Sequence, residues 1–185
     1  NQYIQSKELF KDDSLRLINA SSLFITQDDT VANSWFKNQN NGNNQTLNTI
    51  KKAYLLSKSP QDNDGDFLPD PLQDHFLVFK KYDKRKPFVA GLMSAIIPGS
   101  GKLYNGRKRG FWPAFLISTL QGVRTADSIY VPGIKNAYSI FSLGMFSTFY
   151  FSNIYGSYHD LKQVKIEKRK KFLNEVSRYY YIDNL

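Results

Sequence analysis

A chain of 185 residues carries 25 Lys and Arg against 16 Asp and Glu, a formal charge of +9, and 15% of its residues are aromatic. That length suits one domain of ordinary size, or a small domain with an appended element. A mean hydropathy of −0.46 excludes a transporter built mainly of spans, and a hydrophobic content of 41% excludes a wholly disordered tail. With no cysteine, disulfides, thiolate zinc sites, iron–sulfur clusters and thiol nucleophiles are excluded as well. His75 and His159 are the only imidazoles, and neither lies in a motif that recruits it for metal or acid–base chemistry. No catalytic residue is assigned, and the chain is read as a non-enzyme. Its first residue is Asn, which reads as the mark of a removed signal peptide and an exported protein.

Residues 1–59 predict a small helical part outside any membrane. Asp12, Asp13 and Ser14 offer N-cap chemistry ahead of Leu15, Leu17 and Ile18, and Asp28, Asp29 and Thr30 do the same ahead of Val31, Trp35 and Phe36. After the polar stretch 38–45, Leu47, Ile50, Ala53, Tyr54 and Leu55 recur at three and four residues, and Pro60 closes that helix. Residues 60–86 form a connector that is acidic at first and then basic. Its acidic part, Asp62-Asn63-Asp64-Gly65-Asp66-Phe67-Leu68-Pro69-Asp70, carries two readings. Alternating carboxylates on a turn can converge on calcium, with Asp62, Asp64, Asp66 and Asp70 as ligands, or the segment is a solvated acidic loop. The string is similar to the Asp-rich calcium repeats of thrombospondin type 3, although Phe67 stands where a second glycine is expected and there is one copy only.

From 87 to 158 the composition changes. Residues 87–97 and 111–120 are uncharged runs, each about 16 Å long as a helix and so about half of a bilayer's hydrocarbon core. Between them, Pro98, Gly99, Gly101, Tyr104, Gly106 and Gly110 supply the chemistry of a tight reversal: a helix stop, residues tolerant of positive φ, and an interfacial aromatic. A phosphate loop is excluded at Gly101-Lys102, because Leu103 stands where Ser or Thr is required. A loop with Asp127, Pro132 and Gly133 leads to a third uncharged run, 136–158, about 34 Å long if helical and so long enough to be read as a transmembrane helix. In it, Gly144 with Ser147 and Ser152 with Gly156 offer small surfaces for close helix packing. Residues 159–185 predict a basic amphipathic tail helix.

The string Ser94-Ala95-Ile96 through Gly110, together with Ser152-Asn153-Ile154-Tyr155-Gly156, resembles the membrane hairpin of a family of bacterial envelope proteins of the Bacteroidetes type. It is also similar to the broader two-transmembrane-helix domain family, whose turn carries Gly-x-x-x-x-Tyr-x-Gly. The resemblance covers residues 86–162. It implies a non-catalytic, membrane-embedded or membrane-apposed helical module attached to a helical part outside the membrane.

The expectation is therefore a mainly α protein: a small N-terminal helical part, then a membrane-associated helical hairpin and a third helix. Lys84, Arg85 and Lys86, and Lys168, Arg169, Lys170 and Lys171, are read as contacts to anionic head groups. Nucleic acid is the disfavoured partner, because the aromatics lie in uncharged runs rather than among the basic residues. The function expected is that of a subunit or accessory factor of a cell-envelope complex concerned with outer-membrane protein assembly, transport or secretion. Its partners would be other envelope membrane proteins and the lipid bilayer, on the outer membrane or facing the periplasm. The alternatives are a soluble helical domain whose basic face binds an anionic partner, and a calcium-binding module.

Overall fold

The computed structural model describes Thr30, Ser34 and residues 45–60, 65–131 and 133–182. The chain is mainly helical, with no strand among the described residues. Of the helices proposed before residue 45, only Thr30 and Ser34 are described, and both are helical; the rest lies outside the described residues. In order come α1 (Gln45–Lys58), α2 (Asp70–Asp83), α3 (Pro87–Ile96), α4 (Ser100–Tyr104), α5 (Lys108–Tyr130) and α6 (Ala137–Ile182). They belong to two compact units, one of residues 1–81 with 167–185 and one of residues 82–166. The sequence boundary at 158/159 falls inside α6, which continues from the uncharged run into the basic one.

The first unit has an apolar core of ordinary kind. Ile50, Ala53 and Tyr54 of α1, Leu72, Phe76 and Phe79 of α2, and Phe172, Leu173 and Val176 of α6 are all buried together. Their spacings of three and four residues put each set on one helical face. Phe172 is the centrepiece, its ring 5.9 Å from Phe79 in a stacked arrangement and 5.6 Å from Phe76. The basic tail is thus two-faced: its apolar stripe closes this core, and its lysines and arginines occupy the rest of the helix. Arg169 Nε donates to Ser57 Oγ at 3.2 Å, and that hydroxyl donates to the carbonyl of Tyr54 at 2.7 Å.

The second unit is built differently. Its helix α3 opens with Pro87 at its first position and stops at Ile97, whose extended backbone (φ −126°, ψ 112°) is the conformation a following proline imposes. Helix α5 and the first half of α6 run antiparallel. Register is read from four contacts. Asn153 Nδ2 donates to Ser118 Oγ at 2.7 Å, Gly122 faces the Phe146 ring, the hydroxyls of Thr125 and Ser142 are 3.0 Å apart, and Ser139 Oγ donates to the Ser128 carbonyl. Asp127, expected in a loop, lies on α5, which runs for 23 residues through Arg124 and Asp127. The small residues Gly144 and Gly156 do not mediate close packing, since a side chain at either would meet nothing within 4 Å.

Candidate functional site

Burial in residues 82–166 is inverted relative to an ordinary core. Ser94, Asn105, Ser118, Thr125, Ser128, Ser139 and Ser157 are buried, and the apolar side chains buried with them are Ala90, Ala114, Leu161 and Val164. The large apolar side chains face outward: Phe88 is 72% exposed, Trp112 62%, Leu120 64%, Phe141 67% and Phe151 66%. Five residues with that much apolar surface exceed the scattered exposed leucine that any protein shows. Each buried hydroxyl has a partner, as burial demands. Ser94 Oγ lies 2.7 Å from Ser157 Oγ and accepts the Gly101 N–H at 3.0 Å, and Tyr150 donates to the Ala95 carbonyl. No helix among the described residues is long and apolar enough to cross a membrane.

The turn residues act through close approach. Gly99 has φ +85° and caps α4, and a Cβ there would stand 2.9 Å from that of Ala114. At Gly101 a Cβ would overlap the Ala90 carbonyl oxygen and come within 2.6 Å of Ser94 Oγ and 2.7 Å of Ser157 Cβ, so glycine is what lets α4 lie against α3 and α6. Gly106 also has φ +85° and sits under the Tyr82 hydroxyl. Tyr104 is half-buried, with the Arg85 guanidinium 5.2 Å from its ring centroid and donating to its carbonyl. Arg85 also lies 4.3 Å from the Tyr82 ring, the geometry of a cation over an aromatic face. Pro98 is partly buried where α3 ends.

These contacts gather three basic segments, far apart in sequence, at one end of the unit. Arg85 meets Tyr104, Arg107 Nε pairs with Asp160 Oδ1 at 3.0 Å, and Lys165 bonds to the Asp83 carbonyl, so 82–86, 102–109 and 158–165 lie together. The opposite end is the 131–136 connection. Sequence reasoning saw each basic run but not their convergence, which depends on the antiparallel return of α6. Lys168, Arg169, Lys170 and Lys171 belong to the other unit. Of the four candidate calcium ligands, Asp62 and Asp64 lie outside the described residues, and Asp66 and Asp70 are exposed. Between them the chain turns with Leu68 N–H bonded to the Gly65 carbonyl at 3.0 Å, placing Gly65 on the Phe76 ring and Leu68 in the core. No group of three or more metal-ligating side chains occurs among the described residues.

No family model, no curated protein and no solved structure matches this chain.

Proposed function

We propose that this chain is a non-enzymatic, membrane-associated subunit or accessory factor of a bacterial cell-envelope complex, with residues 82–166 as its lipid-contacting part. The observation that carries the reading is the inverted burial. In lipid, large apolar side chains gain nothing by leaving the helix surface, and helices associate through small residues and interhelical hydrogen bonds. Ser94 with Ser157, Thr125 with Ser142 and Asn153 with Ser118 are bonds of that kind. In water, the same surface of Phe88, Trp112, Leu120, Phe141 and Phe151 would be an aggregation liability. The basic end suits anionic head groups, with the apolar surface of α5 and α6 extending from it.

The subunit part of the proposal rests on length. Uncharged residues on α5 run from 110 to 123, about 21 Å of helix, which falls short of a hydrocarbon core of about 30 Å. A second membrane protein beside α5 would cover its Arg124 and Asp127. The envelope setting rests on the resemblance of the 94–110 and 152–156 strings to membrane hairpins of envelope proteins.

Flotation of the purified full chain with neutral phosphatidylcholine vesicles tests the reading. The chain should float, resist release by high salt and be freed by detergent. Leu116→Lys with Leu120→Lys, both at exposed positions of α5, should abolish flotation with helicity unchanged by circular dichroism. Recovery of the wild type in the unfloated fraction, or its release by salt alone, refutes lipid contact.

A further inference from the structure

An open cavity of about 760 Å³ lies between the α4–α5 turn and α6, lined by Lys102, Arg107, Lys108, Arg109 and Asp160 with three glycines in its walls. Four cations thus share one carboxylate. That carboxylate is already engaged: Oδ1 pairs with Arg107 Nε at 3.0 Å, and Oδ2 accepts from Asn105 Nδ2 at 2.9 Å. Lys102 lies along Gly110, its Cδ 3.1 Å from where a Cβ at that glycine would stand.

The cations are also misplaced by the ordinary rule for helices. Arg107 is the N-cap of α5 and Lys108 and Arg109 are its first residues, with no side-chain cap bond and no acidic residue in the first turn. The backbone there carries a partial positive charge that favours anions and disfavours cations. Clustered positive charge around a cavity, facing a helix start that prefers an anion, is relieved by a ligand whose oxygens take guanidinium and ammonium hydrogen bonds together. Phosphate has that geometry.

We propose that this cavity binds a phosphate-bearing anion. Resting on the lipid-contact reading above, its source is the phosphate of an anionic lipid head group.

The test compares vesicles of phosphatidylcholine alone with vesicles that also contain phosphatidylglycerol, using the full chain, a Lys108→Gln/Arg109→Gln variant and a Lys51→Gln/Lys52→Gln control. Lys51 and Lys52 lie on α1, in the other unit and outside the cavity. The cavity variant should lose the wild type's preference for phosphatidylglycerol roughly thirtyfold, from two charges worth about 1 kcal/mol each, while the control loses at most severalfold. Equal losses in the two variants, or no preference in the wild type, overturn a head-group site.

In a second arm, inorganic phosphate replaces chloride at constant ionic strength in detergent. It should raise the thermal midpoint of the wild type and leave that of the cavity variant unmoved. A phosphate response without a vesicle preference reassigns the source to free phosphate, and no response in either arm refutes the cavity as a site. Failure to float on neutral vesicles would count against lipid contact only, and the phosphate arm would still decide the cavity.

Discussion

The two units of this chain bury opposite kinds of side chain with the same secondary structure. In the first, Phe76, Phe79, Phe172, Leu72 and Val176 are buried, and water exclusion from large apolar surface holds the helices together. In the second, serines, Thr125, Asn105 and glycines occupy most of the helix contacts, with Leu161 and Val164 the large apolar side chains buried, while Phe88, Trp112, Leu120, Phe141 and Phe151 point away. Helical pattern alone does not tell the two apart. The difference lies in which side chain faces which neighbour, and it is the observation on which the proposed lipid contact of the second unit rests.

The sharpest way to break that comparison is to remove a phenyl ring from each unit. Phe172→Ala deletes a ring 1% exposed and packed on two others, and should cost about 3–5 kcal/mol in denaturant unfolding. Phe151→Ala deletes a ring that is mostly exposed and should change stability in detergent by no more than about 0.5 kcal/mol. Comparable losses would mean that the outer surface of the second unit is packed against something in the isolated protein.

Next in size is the contact that holds α4 in place. Gly101→Ala drives a methyl group into the Ala90 carbonyl and against Ser94 and Ser157, and should cost about 3 kcal/mol, since the obstruction includes backbone. Gly144→Ala has open space and a helix interior around it, and should stabilise by about 0.5–1 kcal/mol. Thermal unfolding of the two variants in one detergent separates a glycine required for approach from one that is not. A Gly101→Ala protein as stable as the wild type would remove the close α3–α4–α6 packing from the account.

Much of this was legible from residue types whose effect is local. Pro87 and Pro98 bracket α3, and Gly99 and Gly106 stand where the backbone takes positive φ. What escaped depended on pairing. The α5–α6 register is carried by single polar atoms on Ser118, Thr125, Ser128, Ser139, Ser142 and Asn153, residues that in sequence look like ordinary interruptions of an apolar run. The core role of Phe172, Leu173 and Val176 was carried by a three-and-four spacing, but the surrounding lysines drew the reading toward a membrane flank. Asp127 looked like a loop residue because a charge ended the apolar run, whereas α5 continues past it for three more residues. Each basic run of the second unit was visible locally, but their convergence at one end was not, because chain segments some eighty residues apart compose it.

The smallest effect expected concerns pH and a side chain of the first unit. Burial raises the pKa of the Tyr180 phenol, the neighbouring Tyr179 raises it further, and a hydrogen bond from Thr49 opposes the shift. A phenol whose folded pKa lies above its unfolded value of about 10 holds its proton longer in the native state. The resulting stabilisation is fully present below pH of about 10 and is lost as the pH rises through the folded value. Urea unfolding across that alkaline window should therefore show stability falling with pH, and Tyr180→Phe, which keeps the ring and removes the titration, should make the fall shallower. Identical slopes for the two proteins would show that Tyr180 titrates alike folded and unfolded, and that the core does not shield the last turns of α6 from water.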